Sequence, residues 1–241
     1  AERLSSSWKD AIVCVHSGDL KEANDHRIRG REETRVIPNG IDLQKLDRER
    51  LSRHDARIAL GLPMDRYLYG TIGNFYPAKD LPRYLEACAL VHAKNPQAQF
   101  VLIGDGPERA NIEAALRNHK LEEAVHLLGS REEAARYLSA FDCFVFPSAK
   151  EGMAFALLEA MAASLPCIVT DVGANRWMLE DAGWIVPSQA PVALANSMDV
   201  VARDPMKSQQ KGAQARMIVE TRFPLQHTFE EHLRVLFPNS P

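Results

Sequence analysis

The chain has 241 residues, 46% hydrophobic and 25% charged, which is ordinary for a globular protein and too apolar for a disordered one. Its formal net charge of −3 excludes the broadly basic surface that binding to nucleic acid or an anionic membrane would require. The four cysteines lie in apolar segments without C-x-x-C spacing, so we predict buried thiols in a reducing compartment rather than disulfides or zinc ligands.

Short apolar runs alternate with longer helical patterns along the chain. The predicted strands are Ala11–Val15, Arg35–Ile37, Leu68–Ile72, Gln99–Ile103, Val125–Leu128, Cys143–Phe146, Cys167–Thr170 and Trp184–Val186. The predicted helices lie near 51–60, 80–94, 107–120, 131–140, 154–163, 174–180, 190–203, 206–221 and 225–236. The strands are continuously apolar, which indicates burial on both faces. We therefore predict an α/β fold with a doubly wound, Rossmann-like parallel sheet between helices.

Two segments near the start of the chain differ from this pattern. Residues 1–30 contain one apolar run and a polar helix, and they are either the first unit of the main sheet or the last unit of a preceding domain. Residues 45–57 mix charges of both signs, which predicts solvated surface. The chain also begins at Ala1 without a methionine, so we expect a fragment or a processed chain.

The stretch "EGMAFALLEAMAASLPCIV", residues 151–169, is apolar yet carries Glu159 in its interior. A membrane span is a poor interpretation, because Pro166 breaks the helix and Ser164 and Glu159 would lie where polarity costs most. With no signal peptide in the sequence, the cytosol is favoured. We predict a buried helix at 154–163. A buried glutamate requires a cation, a backbone donor or a ligand's hydroxyls, or it takes up a proton.

Glycine-rich loops follow several predicted strands, where doubly wound sheets bind ligands. They are "PNG" (38–40), "GNFYPAKD" (73–80), "GDGPER" (104–109), "GS" (129–130), "PSAKEGMAF" (147–155) and "DVGAN" (171–175). "GDGP" is only part of a dinucleotide fingerprint, and a turn with Pro107 in the first helical position explains it equally well. The interpretation of this protein as an NAD-dependent oxidoreductase therefore depends on this one weak motif.

The loop at Glu151 gives a sharper signal. Gly152 and a helix start near Ala154 place free backbone N–H groups at a strand end, which is a ready anion site. Lys79 is either a second contact to that anion or a surface lysine. With Glu159 one turn further on, the pattern predicts a phosphate beside hydroxyl groups, as in a nucleotide sugar. The sequence has no D-x-D, H-E-x-x-H or G-x-S-x-G motif, and its histidines do not cluster, which argues against a metal site or a serine nucleophile.

Five motifs in order resemble the retaining family 4 glycosyltransferases (glycosyl transferases group 1), which have the GT-B fold. They are "VIPNGIDL" (36–43), "GNFYPAKD", "VLIGDGPER" (101–109), "FVFPSAKEGMAFALLEAMAASLPCIVTDVGA" (144–174) and "RF" (222–223). Glu151 and Glu159 match the two glutamates of the E-x7-E motif. The resemblance covers about residues 30–237 and implies the C-terminal, donor-binding domain of such an enzyme.

The resemblance assigns roles to individual positions. Lys79 and Glu151 match the catalytic pair, the lysine holding the donor diphosphate and the glutamate contacting the donor sugar. Glu159 matches the glutamate that binds the ribose hydroxyls. The remaining matches are the amide loop and the surroundings of the base, namely Gly152, Met153, Ala154, Phe155, Gly106, Pro107, Leu127 and Leu128.

The sequence departs from the family pattern at two positions. Asn74 stands where the family often has an arginine that shares the diphosphate charge, so we expect either weaker diphosphate binding or compensation by Arg83 or Arg109. Trp177 stands near a position that is commonly acidic. Asn74 is the best support for an alternative function, a non-catalytic nucleotide-binding or interaction domain derived from a transferase.

The resemblance also implies a domain organisation and a set of partners. Residues 1–30 would be a remnant of the acceptor domain, 31–222 the donor domain and 223–241 a crossover helix. The implied partners are a nucleotide-diphosphate sugar and an N-terminal acceptor domain absent from this chain, with no metal, cofactor or nucleic acid. The implied location is the cytoplasm, including the inner face of the plasma membrane where a lipid-linked acceptor would lie.

Overall fold

The computed structural model describes residues 9–31 and 33–237. Near its start, β1 (Ala11–Cys14) and β2 (Glu33–Val36) form a parallel two-stranded sheet, connected by α1 (Ser17–Asp25). This sheet is separate from the main sheet, so the interpretation of residues 1–30 as the main sheet's first unit is wrong. Because β1 pairs with β2, the predicted boundary at residue 30 falls between two paired strands, and the domain division itself stays a prediction.

The main sheet has six parallel strands in the order β5-β4-β3-β6-β7-β8. The strands are β3 (Leu68–Ile72), β4 (Gln99–Ile103), β5 (Val125–Leu127), β6 (Cys143–Phe146), β7 (Cys167–Thr170) and β8 (Trp184–Val186). The order reverses between β3 and β6, because the chain first builds outwards to β5 and then returns to the other side of β3. This is the doubly wound α/β fold that the continuous apolar strands predict.

Helices cover both faces of this sheet. Their bounds are α2 (Leu43–Glu49), α3 (Arg53–Leu60), α4 (Leu81–Lys94), α5 (Arg109–His119), α6 (Phe155–Ala162), α7 (Asn175–Leu179), α8 (Pro191–Arg203), α9 (Pro205–Arg222) and α10 (Leu225–Leu236). Along β6, Phe144 and Phe146 pack with α3, α6, α7 and α9, whereas Cys143 and Val145 pack with α4, α5 and α8. None of the helices in the described ranges is both long and apolar enough to cross a bilayer.

Three local features differ from the sequence prediction. The polar stretch after residue 42 contains a helix, α2, whose first turn is capped by the Asp42 carboxylate and whose Leu46 is buried. The segment predicted as a helix at 131–140 is a 3-10 helix over Ala134–Ala140. Helix α5 begins at Arg109, so Pro107 precedes the helix instead of occupying its first position.

A buried arginine joins α3 to the edge of the core. The Arg57 side chain is fully buried and donates hydrogen bonds to the carbonyl oxygens of Pro63, Met64, Arg66 and Ala140 and to the Asp142 carboxylate. Asp142 in turn accepts from the backbone N–H of Leu68 at 2.8 Å, the first residue of β3. Arg57 therefore fixes the start of the central strand that leads to the loop at residues 73–80.

Candidate functional site

The loops after β3 and β6 meet at the point where the strand order reverses, which is where open α/β sheets bind ligands. The backbone N–H groups of Ala149 and Lys150 donate to the Ala78 carbonyl at 2.8 and 3.3 Å, and these bonds join the two loops. Across the junction, the Lys79 Nζ lies 2.5 Å from Glu151 Oε1. The two residues that the sequence places in separate loops thus form an ion pair.

Lys79 occupies a partly enclosed position. It ends a 3-10 turn, Pro77–Lys79, and its ammonium lies 4.8 Å from the centre of the Phe146 ring. The Lys79 and Glu151 side chains are 22% and 11% exposed. An ammonium has three N–H donors and Glu151 engages one of them in a hydrogen bond, so Lys79 keeps capacity for an anionic ligand.

A row of free backbone amides runs from Glu151 into the first turn of α6. In the described part of the chain, no group accepts a hydrogen bond from the N–H of any residue from Glu151 to Leu157. The carbonyls of this loop are held from behind, since Ala174 N–H donates to Gly152 O and Asn39 Nδ2 to Met153 O, both at 2.9 Å. The amides are left for an external acceptor at a helix N-terminus, where an anion is favoured.

Glu159 lies on α6, two turns beyond Glu151. Burial raises the pKa of its carboxyl group from 4.5 to about 7. Among residues 9–31 and 33–237, no cation or hydrogen-bond donor contacts this carboxylate. Of the partners that the sequence leaves open for Glu159, a cation and a backbone donor are therefore not found among these residues. The charged form is therefore costly in the absence of a ligand.

This environment predicts how Glu159→Gln should act on stability. A carboxyl whose pKa is higher in the folded state stabilises the fold below pH 4.5, and this contribution is lost as the pH rises through 7. The free energy of unfolding of the variant should therefore rise relative to the wild type between pH 5 and pH 8, by up to about 3 kcal/mol. Urea denaturation at both pH values measures this difference.

Glu122→Gln provides the control, because Glu122 is exposed and the same substitution there should leave the pH dependence unchanged. If Glu159→Gln instead destabilised the unliganded chain by several kcal/mol at pH 8, the carboxylate would have an internal partner.

The two glycines of "GDGP" allow the loops after β3 and β4 to lie in close contact. Gly104 has φ +148°, and a Cβ there would lie 1.9 Å from the Gly73 carbonyl oxygen. A Cβ at Gly106 would lie 2.7 Å from the Phe75 carbonyl oxygen, and Phe75 N–H donates to Asp105 O at 2.8 Å. Close approach of the chain to itself thus explains these glycines without a dinucleotide.

The remaining predicted positions extend along the same edge of the sheet. Gly106 follows β4, Leu127 is the last residue of β5 and Leu128 follows it, so the predicted base contacts lie two and three strands from Glu151. At about 4.8 Å per strand, these positions span roughly 14 Å along the edge of the sheet, a length suited to an elongated ligand. The Asn74 side chain is exposed in the loop after β3, between the strand that leads to Gly106 and the strand that leads to Glu151.

The two arginines expected to compensate for Asn74 already have carboxylate partners. Arg83 Nε lies 3.2 Å from Asp80, and Arg109 pairs with Asp105 and Glu113 at 3.1 and 2.9 Å. Trp177, the second departure, carries the Arg222 guanidinium 4.7 Å above its ring and packs edge-on against Phe223. It thus ties α7 to the end of α9.

Several proteins of known structure share this fold. The doubly wound sheet matches the structures of GT-B-type glycosyltransferases, among them sucrose-phosphate synthase from Thermosynechococcus elongatus (TM-score 0.79, 27% identity, 96% of this chain and 59% of that chain). HepE of Anabaena, solved with UDP-glucose, shares the fold with a TM-score of 0.89 at 21% identity, over 98% of this chain and 66% of that chain.

A family model described as glycosyl transferases group 1 matches residues 66–204, and the chain belongs to this family. An Escherichia coli relative, UDP-Gal:alpha-D-GlcNAc-diphosphoundecaprenol alpha-1,3-galactosyltransferase, is 30% identical over 184 residues, which are 75% of this chain and 47% of the relative. The chain thus spans about half the length of this curated relative.

Proposed function

We propose that this chain is the donor-binding half of a retaining glycosyltransferase that takes its sugar from a nucleoside diphosphate. The row of free amides beside Lys79, at the switch point of the sheet, is the observation that carries the proposal. Two further features support it. Glu159 has a half-buried carboxylate that meets no partner among the residues that the structure describes, and the relatives include a galactosyltransferase named for its UDP-Gal donor and a fold neighbour solved with UDP-glucose.

The chemistry of the proposed site is electrostatic. When the bond from the anomeric carbon to the phosphate oxygen breaks, its electron pair stays on the departing diphosphate. Lys79 and the N–H groups from Glu151 to Leu157 are fixed where this charge grows, so they stabilise it without reorganising. Glu151 would contact the donor sugar, and Glu159 would accept hydrogen bonds from the ribose hydroxyls.

The proposal also includes a division into domains: residues 1–30 would be a remnant of the acceptor domain, 31–222 the donor domain and 223–241 a crossover helix. An N-terminal domain would hold the acceptor across a cleft, no metal or cofactor would take part, and a lipid-linked acceptor would bring the protein to the cytoplasmic face of the membrane. One feature favours this arrangement: α10 has an exposed apolar stripe (Leu225, Phe229, Leu233 and Leu236), as a crossover helix without its docking surface would have.

A second candidate is a nucleotide-binding domain that has lost catalysis, and the exposed, uncharged Asn74 favours it. Isothermal titration calorimetry with UDP, GDP, ADP, their glucose derivatives and NAD separates the candidates. A donor domain should bind one nucleoside diphosphate, with an affinity that differs from that for its sugar derivative. A domain that has lost catalysis should bind the two with the same affinity. Binding of NAD alone would contradict both.

Lys79→Ala tests the diphosphate contact. The substitution removes the cation and leaves the Glu151 carboxylate unpaired near the phosphates, so both effects weaken binding. A charge-assisted hydrogen bond contributes about 1.5–3 kcal/mol, so affinity for the nucleoside diphosphate should fall roughly ten- to a hundredfold while affinity for the nucleoside stays unchanged.

Lys150→Ala is the matched control, because Lys150 is exposed in the same loop and only its backbone contacts the junction. It should leave both affinities within about twofold, as expected for surface charges. Equal losses for nucleoside and nucleoside diphosphate in Lys79→Ala would make Lys79 a structural residue.

A further inference from the structure

Asn39 lies in the segment that joins the two sheets, and it contacts the amide loop of the candidate site. Its side-chain Nδ2 donates to the Met153 carbonyl at 2.9 Å, and its backbone N–H lies 3.2 Å from the Met153 sulfur. Met153 is itself buried, so these contacts lie beneath the loop rather than on its surface.

The Asn39 segment is fixed from its opposite side by the start of α10. Thr228 Oγ1 donates to the Pro38 carbonyl at 2.9 Å, and Ile41 N–H donates to the Phe223 carbonyl at 2.9 Å. Gly40 approaches so closely that a Cβ there would lie 2.4 Å from Thr228 Oγ1. Asn39 is therefore held firmly enough to orient what it contacts.

The Met153 carbonyl belongs to the same planar peptide as the Ala154 N–H. In a trans peptide the two groups point in opposite directions, so holding the carbonyl fixes the direction of the amide. Asn39 is the hydrogen-bond donor to this carbonyl within the described residues, and the Ala154 N–H has no acceptor there. The preceding peptide is fixed in the same way, by the Ala174 N–H on the Gly152 carbonyl.

We propose that Asn39 is a positioning residue that aims the Ala154 N–H at the diphosphate of the nucleotide. The inference rests on the proposed function of the site and adds to it a residue from outside the donor loops. Asn39 touches no ligand itself. Its effect passes through one peptide group, so it should be specific for the phosphate part of the ligand.

Calorimetry of the purified chain tests this, with whichever of UDP, GDP and ADP binds the wild type best and with the corresponding nucleoside. Asn39→Ala should weaken nucleoside diphosphate binding about tenfold and leave nucleoside binding unchanged, as expected when one hydrogen bond no longer orients a donor. Asn118→Ala is the matched control, because it makes the same substitution at an exposed asparagine near the end of α5, away from the Asn39 segment and Met153. It should leave both affinities unchanged.

Asn39→Asp adds a readout that a purely structural residue would not give. At pH 4, close to the ordinary pKa of an aspartic acid, about half of the substituted carboxyl groups are protonated and can still donate to the Met153 carbonyl, whereas at pH 8 the carboxylate cannot donate and repels it. The ratio of wild-type to Asn39→Asp affinity should therefore increase from pH 4 to pH 8, while the ratio for Asn39→Ala stays constant.

The outcomes separate this inference from the proposed function. If the wild type binds none of the three nucleoside diphosphates, both fail. If it binds one and Asn39→Ala binds it equally well, or loses nucleoside and diphosphate affinity together, the positioning role alone is overturned. A ratio for Asn39→Asp that does not change with pH also overturns it.

Discussion

Replacing Arg57 by methionine should lower the free energy of unfolding by about 3–5 kcal/mol, the usual cost of breaking a buried ion pair by removing one partner. The side chain is fully buried, and methionine keeps much of its volume without its donors. Four carbonyl oxygens and the Asp142 carboxylate would lose a hydrogen bond. Urea denaturation gives the free energy directly.

Arg53 provides an internal comparison, because it pairs with the other oxygen of Asp142 at 2.6 Å but is 49% exposed. Arg53→Met should cost at most about 1 kcal/mol, as surface pairs do. If the two variants were equally destabilised, the charge on Asp142 rather than the buried fork of hydrogen bonds would dominate.

Gly104→Ala should destabilise the protein by roughly 3–5 kcal/mol, through two separate costs. The backbone conformation at φ +148° is unfavourable for any residue with a Cβ, and the Cβ would collide with the Gly73 carbonyl oxygen at 1.9 Å. The loops after β3 and β4 would have to separate, which changes the edge of the sheet that carries Lys79. Thermal and urea unfolding both measure the loss.

Gly129→Ala separates the two costs. Gly129 also has a positive φ, +70°, but a Cβ there meets no atom within 4 Å, and its carbonyl accepts from the Gly104 N–H. This variant should lose only about 1 kcal/mol, the strain of a left-handed residue. A loss as large as that of Gly104→Ala would show that steric contact between the loops contributes little.

The central fold could be predicted because burial on both faces leaves a clear signal. The observed bounds of β3, β4, β6, β7 and β8 are those of the apolar runs. Helix α2 gave no such signal, since among its seven residues only Leu46 is buried and its start depends on a cap by Asp42. The 3-10 helix at Ala134–Ala140 has helical spacing but a different hydrogen-bond pattern, which residue types do not distinguish.

The sequence also indicated the chemistry of the candidate site, though not its spatial arrangement. Lys79 and Glu151 could be named as charges at strand ends, but their contact depends on β3 lying beside β6, and strand order is a property of the whole sheet. The same holds for Asn39, whose contact with Met153 spans 114 positions of the chain. The glycines at 104 and 106 looked like ligand contacts because the loop they accommodate lies 31 residues away, at Gly73.

The Lys79–Glu151 ion pair has a consequence for the speed of binding. With the two charges 2.5 Å apart, an approaching nucleotide meets a small dipole rather than a cation, on a chain whose net charge is −3. Long-range attraction, which accelerates the association of charged ligands at low ionic strength, is therefore weak here. We expect an association rate that changes little with added salt, and a faster, more salt-sensitive one in Glu151→Gln. Stopped-flow measurements over a range of NaCl concentrations would contradict this if the wild-type rate fell steeply. If the association rate is insensitive to salt, as we expect, selectivity among nucleotides depends on how long each nucleotide stays bound rather than on how often it arrives.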